Sequence, residues 1–171
     1  MLLDLINLKK IRKAILYLIC IVLCHWFQTL ALSRAVLLGA APLFLPALIV
    51  AIGMWEGGVW GGLLGLVAGG LLDAACSDSH VLFTLLFMVY GFFSGMLTDF
   101  FINRRFLSYV LLSAAALLLT ALVQMAALWL LRGSALPPLL RTALLQSLWS
   151  LPLALPVWPI VRAVAGKARE E

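Results

Sequence analysis

Apolar positions along this chain run in long blocks, and the few polar positions fall mainly between them. An α-helix needs about 20 mostly apolar residues to cross a bilayer. Blocks of that order recur and predict spans at about residues 14–32, 40–55, 58–75, 81–102, 107–131 and 139–161. Only Glu56 and a pair of glycines, Gly57 and Gly58, separate the second block from the third. Pro152, Pro156 and Pro159 interrupt the last, and each removes a backbone donor from a helix. The pattern predicts an all-α integral membrane protein, one polytopic domain over residues 1–171, built as a six-helix transmembrane bundle.

Composition supports the membrane assignment. Of 171 residues, 65% are apolar and 11% charged, whereas a soluble domain carries roughly 25% charged residues. The first span follows the basic cluster Lys9, Lys10, Arg12 and Lys13, as in a signal peptide, with TLALSRA a candidate cleavage site. Its apolar run exceeds the usual length of such a region and further spans follow, so it reads as a retained helix. Cytoplasmic loops carry the excess of Lys and Arg. With the N-terminus inside, the inner segments hold Lys9, Lys10, Arg12, Lys13, Arg104, Arg105, Arg162, Lys167 and Arg169, nine of the twelve basic residues. Five spans would put Arg104 and Arg105 opposite the basic tail, so six spans with both termini cytoplasmic is the better topology. The stretch MLLDLINLKK reads as a short amphipathic segment on the inner membrane surface. Topology and anionic lipid account for the net charge of +5, and nothing in the pattern points to nucleic acid.

Within the spans the small residues are the feature that needs explaining. Gly53, Gly57, Gly61, Gly65 and Gly69 recur every four residues, and the next step lands on Asp73. Glycine costs about 1 kcal/mol against alanine in a soluble helix. In lipid, helices associate through close van der Waals contact, and small residues four apart let two backbones approach. Gly58 and Gly62 add a second row, which makes the third span the expected centre of the bundle. Residues 65–73 (GLVAGGLLD) and 91–99 (GFFSGMLTD) both fit G-x-x-x-G-x-x-x-D, by duplication or by chance. The candidate packing and partner-interface residues are therefore Gly57, Gly61, Gly65, Gly69, Asp73, Gly91, Gly95 and Asp99. The topology determinants are Lys9, Lys10, Arg12, Lys13, Arg104 and Arg105. The two acids fall at opposite membrane faces, too far apart for shared acid–base chemistry.

Candidate chemistry is sparse. His25 and Gln28 lie one turn apart in the first span, and Gln124 lies in the fifth. His25 has two readings: a proton relay or ligand group, or a hydrogen-bonded bundle residue. No HExxH, CxxC or carboxylate cluster suggests a metal, and no GxSxG or Ser/His/Asp set suggests a nucleophile. No catalytic, cofactor-binding or metal-binding residues are expected, and the chain does not read as an enzyme.

The segment GGVWGGLLGLVAGGLLD, then a short loop and FMVYGFFSG, resembles the core of the rod shape-determining protein MreD family. The matching residues are Gly61, Gly65, Gly69, Gly70, Leu71, Asp73, Tyr90 and Gly91. The likeness extends to the proline-rich APLFLPALIV and the proline-broken LPLALPVWPIVRAVAGKAR. It departs from the family in ACSDSH, Ala75 to His80, where a Ser-Gly-x-x-Gly type loop is usual. The resemblance implies a non-catalytic scaffold or regulator of the bacterial cell-elongation complex, in the cytoplasmic membrane, controlling cell shape through lateral peptidoglycan synthesis. It implies as partners an MreC-like bitopic protein, MreB, RodA and a penicillin-binding transpeptidase, with no cofactor. The family's fold resembles the substrate-binding S component of energy-coupling-factor transporters. That makes such a component the alternative reading, with His25, Trp26, Gln28, Gln124 and Trp129 lining a pocket.

The topology has a direct test. In a Cys20→Ala, Cys24→Ala, Cys76→Ala background, Arg104→Cys and Arg105→Cys should resist an impermeant thiol reagent applied outside cells. Labelling before permeabilisation would overturn the orientation.

Overall fold

The computed structural model describes residues 8–32, 42–75, 81–101, 103–132 and 136–167. Among them the regular elements are all helical: α1 (Leu8–Phe27, continued by a π-helical turn Gln28–Leu32), α2 (Leu45–Glu56), α3 (Gly58–Ala75), α4 (Leu82–Phe100), α5 (Phe106–Arg132), α6 (Leu136–Ala154) and α7 (Val157–Lys167). Helices α1, α3, α4 and α5 are long and apolar enough to cross a membrane. The pair α6 and α7, bent by 42° at its break, makes a fifth such passage. Large apolar side chains such as Leu23, Val59, Leu63, Leu85, Leu111 and Leu148 stand exposed on the outer faces. In water this surface would drive aggregation; on these helices it is a lipid-facing surface, and the protein is a helical membrane protein.

The second expected span, 40–55, needs correction. Its helix begins only at Leu45 and has 12 residues, about 18 Å at 1.5 Å per residue, against a hydrocarbon core about 30 Å thick. Pro46 sits in the first turn of α2, where its missing N–H costs nothing; in a helix begun a turn earlier it would leave a carbonyl unpaired. Among the described residues four helices have the length to cross, five passages with the bent pair, and α2 is a shorter apolar helix.

That short helix, not α3, is the centre. Leu45 through Met54 are all buried, as expected of a helix that is apolar on every side. It packs against α1, α3, α4, α5 and α7, whereas α3 meets mainly α4, α2 and α1. The sequence placed the centre on the glycine-rich helix because small residues mark close contacts. They mark only where backbones meet, not which helix is surrounded.

Gly57 makes the turn between α2 and α3 by itself. Its φ of 88° is a conformation that glycine alone adopts freely. Its N–H closes α2 on the Gly53 carbonyl at 2.9 Å, and its carbonyl accepts the Gly61 N–H at 2.9 Å to start α3. The two helices fold back as an antiparallel hairpin, with Gly53 against Gly61 and Ile49 against Gly65. Helix α4 crosses both. At this junction Gly53, Gly61 and Gly91 meet: a methyl on Gly61 would sit 2.5 Å from the Gly91 carbonyl oxygen and 2.6 Å from the Gly53 Cα.

The last passage breaks at Pro156, between α6 and α7, while Pro152 lies inside α6 and Pro159 in the first turn of α7. Pro156 and Pro159 have no N–H for the carbonyls four residues back. The Tyr109 hydroxyl, from α5, donates to the Ala154 carbonyl at 2.7 Å and so occupies a backbone acceptor at the bend. Helix α7 then lays Trp158 on Trp55, with ring centroids 5.5 Å apart.

Because the obstructing atoms at the junction are backbone, no rotamer change relieves them. Gly61→Ala and Gly91→Ala should each destabilise the purified protein by about 1–3 kcal/mol, as overpacking does, with a lowered melting temperature in detergent. Gly166→Ala, whose added methyl meets nothing within 4 Å, should melt as the parent does.

Candidate functional site: the glycine–aspartate hairpin and the charged end

Helices α3 and α4 lie antiparallel in the most extensive helix contact among the described residues. Gly61 faces Gly91, Gly65 faces Phe87, and Gly69 faces Phe83 and Thr84, while Gly95 meets the Gly57–Gly58 backbone. The two G-x-x-x-G-x-x-x-D copies therefore supply opposite sides of one contact. Gly61, Gly65, Gly69, Gly91 and Gly95 are buried within the chain, so this face is already occupied by the protein's own helices.

The two aspartates do different work. Asp73, in the last turn of α3, accepts the Phe83 N–H at 3.2 Å, the Thr84 N–H at 2.8 Å and the Thr84 hydroxyl at 2.6 Å. Those backbone donors open α4, where helix geometry leaves them without partners. The residue preceding the helix, Val81, has φ 59° and offers no side-chain cap. A carboxylate there satisfies the donors and meets the positive end of the helix dipole. Asp99, at the other end of α4, is exposed and lies 3.5 Å from Arg104 Nη2, a surface pair worth about 0–1 kcal/mol.

A charged cluster occupies the end of the bundle where α1 begins, α2 ends and α7 ends. Lys13 Nζ lies 2.6 Å from Glu56 Oε1, which also accepts the Tyr17 hydroxyl at 2.8 Å. Arg104 stands 5.9 Å over the Trp55 ring, and Trp158 packs on Tyr109 at 5.0 Å behind it. Lys13, Arg104 and Arg162 border one cavity, so segments remote in sequence bring these basic residues to one end of the bundle. Arg12 and Arg105 are exposed. Lys9 and Lys10 lie in the first turns of α1, with side chains outside the described residues, as is most of MLLDLINLKK. Of the loop Ala75 to His80, only Ala75 is described.

Of the five residues of the alternative pocket, two are bound elsewhere and two stand on the outside. Gln28 Oε1 accepts the Phe44 and Leu45 N–H groups, both at 3.2 Å, and so caps α2. Gln146 Nε2 donates to Gln124 Oε1 at 3.2 Å, joining α6 to α5. Trp26 is 65% exposed and Trp129 44%, both on the outside. The His25 Nδ1 is buried without a partner among the described residues. Cys20 and Cys24 are free thiols. Among the described residues no three His, Cys, Asp or Glu side chains gather as metal ligands would.

Sequence reasoning missed Glu56, Tyr17, Trp55 and Trp158 as site residues. Glu56 carried a signal: it is the one acid between Asp4 and Asp73. The aromatic residues carried none, since tryptophan and tyrosine are common at both membrane interfaces. Compared with known proteins, the chain matches no family model, no curated protein and no solved structure.

Asp73→Ala should lower stability by roughly 1–2 kcal/mol, the usual loss for a helix cap, and Thr84→Val by less. The double variant should lose less than the sum, since both remove the same bond. A melting series in detergent checks this; strict additivity would separate the two side chains.

Proposed function

We propose that this protein is a non-catalytic scaffold or regulator in the membrane-embedded machinery of bacterial cell elongation, acting as MreD proteins do. In this reading the chain makes six passes, with α2 as the short second one, and keeps both ends on the cytoplasmic side. Its partners are an MreC-like bitopic protein and, through the complex, MreB, RodA and a penicillin-binding transpeptidase. One observation carries the reading. The segment on which the resemblance rests, Gly61 to Gly91, forms a helix pair with backbones in close approach at Gly61 and Gly91, clasped at its far end by Asp73. A rigid hairpin of this kind suits a protein whose task is to hold partners in a fixed relation.

Affinity purification from native membranes in mild detergent, with mass spectrometry of what co-purifies, tests it. A single-span protein with a periplasmic coiled coil, together with wall synthases, is the expected result. Cytoplasmic ATPases with a coupling membrane subunit, and saturable uptake of a vitamin-like ligand, would overturn it in favour of the transporter component.

A further inference from the structure

The charged end encloses a cavity of about 210 Å³, bordered by Lys13, Trp55, Arg104, Arg162, Ala165 and Gly166. We propose that it is a binding site for the phosphate group of an anionic membrane lipid. Three cations from three parts of the chain border it: Lys13 from α1, Arg104 from the α4–α5 connection and Arg162 from α7. Two acids face them, Glu56 on Lys13 and Asp99 on Arg104, the latter at 3.5 Å. Arg162 has no ion pair among the described residues, so the cavity keeps a positive charge that its own walls do not neutralise.

Trp55, which borders the cavity, also carries an unused donor. Trp55 Nε1 is buried with no acceptor among the described residues. A buried indole N–H usually finds one, and a bound group is one way to satisfy such an orphan. A phosphate oxygen beside Trp55 supplies that acceptor, while the guanidinium groups of Arg104 and Arg162 donate in the planar fork that suits phosphate. The second cavity, on the other side of Lys13, is lined by Glu56 and Tyr17; its carboxylate disfavours an anion there.

The surroundings favour a lipid as the source. Ile160, on α7 with Arg162, is 47% exposed, and Phe106 and Leu107, which open α5 just after Arg104, are 48% and 70% exposed, so apolar surface for acyl chains lies close along the chain to two of the cavity's cations. Nothing lies within 4 Å of the space a side chain at Gly166 would take, which leaves the α7 side open. Basic pockets between transmembrane helices bind anionic headgroups in this way.

The test uses full-length protein purified in a neutral detergent and stripped of phospholipid. Binding of phosphatidylglycerol, phosphatidylcholine and inorganic phosphate is measured by native mass spectrometry and by the melting shift each produces. Phosphatidylglycerol should bind saturably and raise the melting temperature, with phosphatidylcholine and inorganic phosphate far weaker. Arg104→Gln with Arg162→Gln should weaken that binding by on the order of tenfold or more, as loss of charge-assisted bonds does. Trp55→Phe, which keeps the ring and loses the N–H, should weaken it less. Arg105→Gln, a cation beside Arg104 that does not border the cavity, should leave it unchanged. Equal weakening by Arg105→Gln, or none in the double variant despite unaltered melting of the lipid-free protein, would overturn the site. Inorganic phosphate binding as tightly as the lipid would overturn the lipid assignment and give the cavity to a soluble phosphate.

Discussion

The rest of this structure depends on how closely three backbones approach at Gly53, Gly61 and Gly91. Lipid tails are as apolar as leucine, so burying leucine between helices in a membrane gains little. Attraction must come from many atom pairs at contact distance, each worth only about 0.1–0.2 kcal/mol. Removing the side chains lets α2, α3 and α4 meet backbone to backbone and collect those pairs. The arrangement leaves no slack, because a single methyl at Gly61 would strike two other helices. It also explains why α2 is short. A helix folded back by one glycine and enclosed by five others has no lipid face to match, so hydrocarbon thickness does not set its length.

Polar side chains in this bundle serve mostly to complete backbones. Asp73 closes the start of α4, Gln28 the start of α2, and Tyr109 the bend between α6 and α7. Ser150 accepts the Leu43 N–H at 2.9 Å just before α2 begins. Each bond lies at a helix end or a proline break, where donors or acceptors lose their helical partners. In hydrocarbon an unsatisfied group costs several kcal/mol, so a chain with interrupted helices must bring such side chains from neighbours. Of the polar residues that first suggested a ligand pocket, Gln28 is taken up this way and Gln124 by the side chain of Gln146. The charged end differs: Trp55 Nε1 and Arg162 remain uncommitted among the described residues, and there a bound group has something to do.

Length and apolarity alone determined the class of the protein, the limits of α3 through α5 to within two residues, and the proline break in the last passage, because lipid leaves a backbone few ways to satisfy itself. The four-residue glycine spacing determined that α3 would be held close to neighbours. Periodicity along one helix cannot say which helix comes to meet it. Only the tertiary structure decided that Gly91 and Gly95 of α4 meet Gly61 and the Gly57–Gly58 backbone, that α2 lies at the centre, and that Asp73 closes a helix while Asp99 pairs at the surface. The two aspartates end identical local patterns, and what separates them is which helix terminus the fold brings within hydrogen-bonding distance. The same holds for Lys13, Trp55, Arg104 and Arg162, spread over 150 residues of chain. They become one site only because alternating helices return to the same end, and no local pattern records that return.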